Sequence, residues 1–476
     1  RLAEKGEYSR LVAHNEGVRQ KNIEILCERP EAIIHEVSSK RTVFTRAHLE
    51  DEIVRRVGGH GQLLAILKQK LDGLENPGSY ALNENFASDI ASDMRQTARR
   101  LTDRLLQDPE IAQHVGENLE QDPLCASTAY KNQEEKLVGL ADQMHARSSK
   151  TLSESAVASA IKAREQELGF ALSEEQHAAI QHLFSGSDIR ILNGRAGTGK
   201  TTLLKAVAEA YQNAGYRVLG TSFQGKAVEI MGREIGIPSQ TLDSLFVAWQ
   251  RHAQQKQRVE SGRLWGKPYL YAFQKMKELE THRLSDKDVI LLDEANMIGG
   301  RLWEGFLEEA SAKGAKVLII QDTAQIKSRE PGDYGRLFAE RFGTAETYEV
   351  MRQRTDWQKT CAVLLNEGRT REGLLPYQEK GHIHWQETGD GTKDALVQAY
   401  VEDGTRNPNA TRMALAYRNR DVEAINQGIR STLKEQGLLG DTFVVKAQEF
   451  AIGDRVRFTQ NDHHGRFVKN THESFL

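Results

Sequence analysis

The run Ile191-Leu192-Asn193-Gly194-Arg195-Ala196-Gly197-Thr198-Gly199-Lys200-Thr201-Thr202 leaves this chain few ways to fold. An apolar strand, a glycine-rich turn and the opening of a helix follow without a spacer, in the pattern G-x-x-x-x-G-K-[ST]. Glycines let successive backbone N–H groups turn inward around an anion, and the helix N-terminus adds its positive dipole end. Lys200 supplies a point charge for β/γ-phosphate oxygens and Thr201 a hydroxyl for Mg²⁺. Gly194, Ala196, Gly197, Thr198, Gly199, Lys200, Thr201 and Thr202 are therefore the expected nucleotide-binding loop, with ATP and Mg²⁺ as cofactors. Behind it Leu203, Leu204, Val207, Ala208 and Tyr211 make one apolar helical face. A chance glycine turn is the bland alternative, and the strand–loop–helix context argues against it.

About ninety residues on, the apolar run Val289–Leu292 delivers Asp293 and Glu294 at its end. Paired acids at the carboxyl end of a buried strand are the expected partners of a phosphate loop. Asp293 would hold the metal, and Glu294 would polarise the attacking water. Standing alone, the two acids could simply end a strand and cap a helix; the loop upstream outweighs that reading.

The surroundings fit an α/β fold. From about Ser173 short apolar runs (Ile189–Leu192, Arg217–Leu219, Val289–Leu292, Val317–Ile320) alternate with amphipathic helices, which predicts a parallel sheet wrapped by helices. Residues 1–165 read as a mostly helical region, with helical spacing in 87–119 and a further helix over 132–147. Asn76–Ser79 reads as a break between helical groups. After Thr355 the pattern predicts a helix through Leu365, a strand at Met413–Ala416 and a helix at about 421–436. Residues 443–458 alternate like antiparallel strands. The domain reading is 1–165, a lobe at 166–350, the start of a second lobe at 351–440, and a small barrel-like insertion beginning at 441–476.

Bulk properties bound the rest. The 476 residues carry a net charge of −3, so a nucleic-acid contact would have to come from local patches. Cys27, Cys125 and Cys361 are far apart, which speaks against a disulfide framework or structural zinc and for a reducing cytoplasm. No apolar run is long enough to insert into a membrane. The opening Arg1-Leu2-Ala3-Glu4 has neither an initiator Met nor a signal-peptide pattern, and reads as the interior of a longer chain.

Further segments narrow the kind of motor. Gln176, in Leu172-Ser173-Glu174-Glu175-Gln176, can read adenine through its amide; a capping box with Ser173 is the plainer reading, and the two roles can coexist. Ser222, Phe223, Lys226 and Thr241 sit at strand ends, where phosphate contacts and stacking could hold single-stranded DNA; a helix start with a solvated lysine is the plainer reading. Gln325, just past Val317–Ile320, can sense a γ-phosphate. Arg352 can reach the transferring phosphoryl group as an arginine finger, and the nearby Arg354 reads more readily as a surface arginine.

In this order the segments resemble the RecD-like branch of superfamily 1 helicases, and within it the helicase region of the Ti-type conjugative-transfer relaxase family, TraA. The likeness runs from about Leu172 to Lys469. It includes Gly236-Ile237-Pro238-Ser239-Gln240-Thr241-Leu242, Asp293-Glu294-Ala295-Asn296-Met297-Ile298 and Arg352-Gln353-Arg354-Thr355-Asp356-Trp357-Gln358. The resemblance implies RecA-like lobes of a P-loop NTPase, the second incomplete here, and ATP-driven movement on single-stranded DNA, 5′ to 3′. It also implies partners in the conjugation machinery. Where the family has a glycine before its Asp-x-x-Gln, this chain has Gln321, whose side chain would crowd a close backbone approach. His382-Ile383-His384 lies inside the motor region and reads as structural, so the nickase metal cluster of such relaxases would lie upstream of Arg1. Two other readings share these residues: a truncated remnant that binds nucleotide and DNA with little hydrolysis, and a RecD-type repair helicase.

Overall fold

The computed structural model describes residues 17–18, 20–22, 24–41, 43–57, 67, 86–114, 124–195, 197–325, 328, 332–349, 353, 355–445, 448–457 and 472–474. The chain divides into two compact units, Arg1–Asn366 and Glu367–Leu476.

The first unit opens with α1 (Ala32–Lys40), α2 (Arg46–Val57) and α3 (Phe86–Leu105), then a hairpin of β1 (Ile111–His114) and β2 (Leu124–Ser127) in antiparallel register. Ile33, Ile34, Leu49, Ile53, Leu101 and Leu105 close a small core of their own. The helical spacing read across 87–119 holds only as far as Leu105. Asp108-Pro109 stops it, because Pro109 has no N–H to continue the helix and disfavours helical geometry before it. Asp108 Oδ1 then accepts from Glu110 N (2.8 Å), turning the chain into β1. The Asn76–Ser79 break lies outside the described residues.

Next come α4 (Thr128–Ala146), α5 (Glu154–Leu168), α6 (Glu174–Phe184), β3 (Ile189–Gly194), α7 (Lys200–Asn213), β4 (Arg217–Ser222), α8 (Gly225–Ile230) and β5 (Ser239–Thr241). They are followed by α9 (Leu242–Glu260), α10 (Lys267–Glu280), β6 (Asp288–Asp293), α11 (Gly300–Lys313), β7 (Lys316–Gln321), α12 (Tyr334–Phe342), β8 (Ala345–Thr347) and α13 (Asp356–Asn366). The strands form one parallel sheet in the order β5-β4-β6-β7-β3-β8.

Side chains alternate across the sheet as a pleated strand requires. Val289, Leu291, Leu318, Ile320 and Leu192 face one core with α6 and α7, whereas Ile290, Leu292, Val317, Ile319 and Ile191 face another with α4, α9 and α11. Both faces are covered, so each strand reads as a continuous apolar run rather than an alternating one. α4 belongs to this arrangement: Leu137, Ala141 and Met144 are fully buried among the sheet's own side chains.

The second unit contains α14 (Thr370–Glu379), α15 (Gly389–Arg406) and α16 (Asn419–Glu435), then β9 (Thr442–Val445) paired antiparallel with β10 (Gln448–Ala451), and β11 (Arg455–Arg457) paired antiparallel with β12 (His472–Ser474). α15 and α16 meet where Gly428 admits Val397; a Cβ at Gly428 would stand 2.9 Å from Val397 Cγ2. The strand expected at Met413–Ala416 is not formed. Met413, Leu415 and Tyr417 are exposed, and an isolated extended segment has no ladder to satisfy its amides. His382–His384 is likewise not in a strand, and no group of three metal-ligating side chains occurs among the described residues. The free cysteines Cys27, Cys125 and Cys361 are all buried. No described helix is long and apolar enough to cross a membrane.

Candidate functional site: the phosphate loop and its neighbours

Three strands end together at the carboxyl edge of the sheet. β3 carries the glycine loop, β7 lies directly beside it, and β6 follows with the two acids. The loop residues, Gln325 and Asp293-Glu294 are therefore delivered side by side by parallel strands, the arrangement that crevices at the carboxyl ends of α/β sheets favour.

The loop is built around close approaches. Gly197 and Gly199 have φ of 86° and 80°, in the left-handed region. A Cβ at Gly199 would stand 2.7 Å from Gln176 Nε2, and one at Gly194 would meet both Thr347 Oγ1 (2.6 Å) and Lys200 Cδ (2.7 Å). Thr198 Oγ1 donates back to the Arg195 carbonyl (2.9 Å) and lies 3.0 Å from Thr347 Oγ1. Lys200 opens α7 and folds its ammonium onto the Gly194 carbonyl, across the cradle. Thr201 and Thr202 stand partly exposed in the first turn of α7, and Ala196 lies outside the described residues.

Gln176 is almost fully buried and has two structural jobs. Its Oε1 accepts from Ser173 N (3.1 Å) while Ser173 Oγ accepts from Gln176 N (3.3 Å), a complete capping box. Its Nε2 donates to the Thr198 carbonyl (3.1 Å) and so braces the phosphate loop from behind.

Glu294 has φ 53° and ψ 41°, and it is the one non-glycine residue with positive φ among the described residues. That conformation costs about 1–2 kcal/mol for an L-residue, and strain of this kind concentrates at functional sites. Its N–H donates to Asp293 Oδ1 (2.9 Å), whereas its Oε2 is buried with no hydrogen-bond partner. Burial raises the pKa of both acids. For Glu294 the Asp293 charge adds to that rise, and the Lys200 ammonium opposes it at both.

Gln325 sits in a turn after β7, its Nε2 donating to Asp322 Oδ2 (3.0 Å). Gln321 does not crowd the loop. Val317, Ile319 and Gln321 share the sheet face opposite α7, and the Gln321 side chain lies under α12, donating to the Gly335 carbonyl (3.2 Å). Gly335 makes that possible, since a Cβ there would be 2.1 Å from Gln321 Oε1.

Ser222 stands opposite both Asp293 and Thr241 in the sheet, so the residues read as DNA contacts gather at the same edge. Their hydroxyls are already engaged: Ser222 Oγ accepts from Gln224 N (3.2 Å), and Thr241 Oγ1 caps α9 by accepting from Ser244 N (3.2 Å). Phe223 is exposed, and Lys226 is an exposed lysine paired with Glu229 (3.1 Å). Arg352 and Arg354 lie outside the described residues.

The sequence reading missed β8 and what it brings. Thr347 accepts from Arg195 N through its carbonyl (3.1 Å), and Glu346 accepts from Asn193 Nδ2 (2.8 Å). Glu175 Oε2 takes the next two amides, Tyr348 N (2.8 Å) and Glu349 N (3.0 Å). A strand of three residues, Ala345–Thr347, has no periodicity to betray it.

A glycine cradle and lysine at the carboxyl edge of a six-stranded parallel sheet, with paired acids two strands away, define a P-loop NTPase. Residues 171–388 match the AAA domain family. Over 297 residues, 61% of its length, the chain is 34% identical to a probable conjugal transfer protein TraA of Sinorhizobium fredii and 32% identical to the conjugal transfer protein TraA of Rhizobium radiobacter. It is also 29% identical over 182 residues, 38% of the chain, to the ATP-dependent RecD2 DNA helicase of Deinococcus radiodurans, covering 22% of that protein. The match to the TraA proteins covers 24% of their length. The chain thus carries a helicase-like NTPase region, and 61% of its length is similar in sequence to the conjugal transfer proteins TraA.

Proposed function

We propose that this chain is the ATP-driven translocase region of a conjugative-transfer relaxase, coupling ATP hydrolysis to 5′-to-3′ movement on single-stranded DNA in the cytoplasm. The observation that carries the reading is the pairing of a braced glycine cradle with Glu294, a partly buried acid with a strained backbone and an unpartnered oxygen. The cradle fits a polyphosphate: side chains are excluded at Gly194 and Gly199, and Lys200 rests on a carbonyl that a phosphate oxygen would replace.

In this reading Lys200 leaves Gly194 to bind β/γ oxygens, and the loop amides of Gly197–Thr202 hold the remaining phosphate charge. Thr201 and Asp293 are the residues to hold Mg²⁺, which when bound neutralises charge on the phosphates. Glu294 accepts a proton from the attacking water, and a raised pKa brings a carboxylate closer to that task. Gln325 contacts the γ-phosphate, Arg352 adds positive charge in the transition state, and Gln176 holds the loop. Phe223 and Lys226 offer a stacking face and a cation to a DNA strand at the same edge. The TraA likeness supports a role in conjugation, with partners in that machinery.

The test is ATP hydrolysis by the chain with and without single-stranded DNA, beside a Lys200→Ala variant. Hydrolysis stimulated by DNA and lost in the variant is expected. Wild-type turnover by Lys200→Ala would sink the assignment.

A further inference from the structure

Between β5 and β6 the chain leaves the sheet for a helical hairpin whose far end has no function in the site described above. α9 is capped by Thr241 on the carboxyl edge and runs down the sheet, burying Leu242, Leu245, Ala248, Trp249 and His252. By Trp249 it has reached the opposite edge: Trp249 Nε1 donates to the His282 carbonyl (2.8 Å), and Arg217, the first residue of β4, donates to the Thr281 carbonyl (2.7 Å). α9 then continues for eleven residues to Glu260, roughly 17 Å. α10 returns beside it and buries only Ala272. The hairpin projects past the sheet edge remote from the phosphate loop.

Its tip has a composition that a solvated strut does not need. Trp265 is 82% exposed, Leu270 63% and Tyr271 60%. Lys267, Leu270 and Tyr271 share one helical face, next to Arg263 and Trp265 in the connecting turn. Residues 251–280 contain seven Lys and Arg against three Glu, a local net charge of +4 in a chain whose total is −3. The three glutamates are paired along their own helices with Lys256, Lys275 and Lys277. Arg251, Arg258, Arg263 and Lys267 have no acidic side chain within ion-pair range among the described residues.

We propose that the α9–α10 tip is a second single-stranded DNA contact, separate from the carboxyl edge, in which Trp265 and Tyr271 stack on bases and Arg263 and Lys267 pair with phosphates. Exposed aromatics interleaved with unpaired cations are the pattern that unpaired strands require, because stacking needs unstacked bases and the cations follow the backbone. The excess of positive charge favours a polyanion over an apolar protein face. The choice of DNA rests on the proposed function.

Binding of fluorescein-labelled oligothymidylate to the full chain, followed by anisotropy across a salt series, tests it. Three variants are compared with wild type: Trp265→Ala/Tyr271→Ala, Arg263→Gln/Lys267→Gln, and Lys226→Ala at the carboxyl edge. The aromatic pair is expected to weaken binding at least about fivefold. The cation pair should reduce the slope of log K against log salt by about 1.4, two phosphate contacts at roughly 0.7 each. Neither should change affinity for ATP, which also shows that both variants are folded. If both hairpin variants bind DNA with wild-type affinity and slope while Lys226→Ala is impaired, the tip is not a DNA contact and the proposed function stands. If wild type binds no oligonucleotide at all, the DNA step of the proposed function falls, and this inference with it.

Discussion

Gln176 offers the sharpest test of how the site is built, because bracing the loop and reading adenine predict different losses. The structure commits Oε1 to the Ser173 N–H and Nε2 to the Thr198 carbonyl. Gln176→Ala removes half of a capping box, which costs about 0.5–2 kcal/mol. It also leaves the Thr198 carbonyl without that donor, about 1–3 kcal/mol for a buried group. A combined loss of about 1.5–5 kcal/mol is expected in a denaturant or thermal melt of the apo protein. For the unit Arg1–Asn366 about 1–2 °C of melting temperature accompanies each kcal/mol. The functional signature follows from which part of the nucleotide is affected. If Gln176 acts by bracing the loop, the variant loses affinity for ATP, GTP and inorganic tripolyphosphate by the same factor. Competition against a fluorescent nucleotide measures all three. A loss confined to ATP, with tripolyphosphate binding and stability unchanged, would refute the bracing argument and return Gln176 to adenine recognition.

Other expectations follow from single groups. Asp293 and Glu294 have pKa values raised by burial, so the folded state binds protons more readily and stability falls as pH climbs through that range. Asp293→Asn should therefore raise the apo melting temperature while abolishing any stabilisation by Mg²⁺ with nucleotide; a lower apo melting temperature would contradict this. Lys316 is fully buried against the Tyr211 ring, its ammonium has no hydrogen-bond partner, and its pKa is lowered to about 7, mainly by burial. The unfolded chain then holds the proton up to about 10.5 and the folded one does not, so stability should rise from pH 7 to pH 10. Lys316→Met should flatten that rise and add a few kcal/mol near pH 7, on the order set by the displaced pKa; equal slopes in both proteins would exclude Lys316 as its source. Gly335→Ala drives a Cβ into Gln321 Oε1 and should cost about 1–3 kcal/mol, the usual scale for overpacking. The double variant with Gln321→Gly should recover most of that loss, and strictly additive effects in the cycle would show that the two positions do not interact.

What the sequence disclosed and what it hid divide along physical lines. The strands that hold the site were legible because both faces of the sheet are covered, so Val289–Leu292 and Val317–Ile320 had to be apolar throughout. The phosphate loop was legible because its glycines answer a steric demand that few folds make. β5 and β8 were not, since three residues carry no period. Met413–Ala416 misled because an apolar run records a wish for burial, not the presence of a neighbouring strand. Gln321 misled for a related reason: a side chain is an obstacle only on the face where it points, and the strand's alternation aims this one at Gly335.

The first turn of α6 shows why the neighbourhood of such a loop repays a residue-by-residue reading. Successive side chains there reach two different strand exits: Gln176 holds the Thr198 carbonyl of the loop after β3, and Glu175 holds the amides of Tyr348 and Glu349 after β8. The two exits are also joined directly, by Arg195 N to the Thr347 carbonyl and by the Arg195 guanidinium 4.9 Å from the centre of the Tyr348 ring. A loop that shifts to take up phosphates therefore either carries the β8 exit with it or breaks one of these bonds. The segment beginning at Val350, with Arg352 only three residues past Glu349, starts from that exit. In the proposed motor the arginine finger thus follows, three residues along the chain, from an exit whose last two amides are held by the Glu175 carboxylate. Glu175→Gln would keep an acceptor for the amides but remove the charge that strengthens those bonds. Turnover falling in that variant while ATP affinity holds would place Glu175 in the coupling between loop and finger; wild-type turnover would show that the β8 exit is positioned without it.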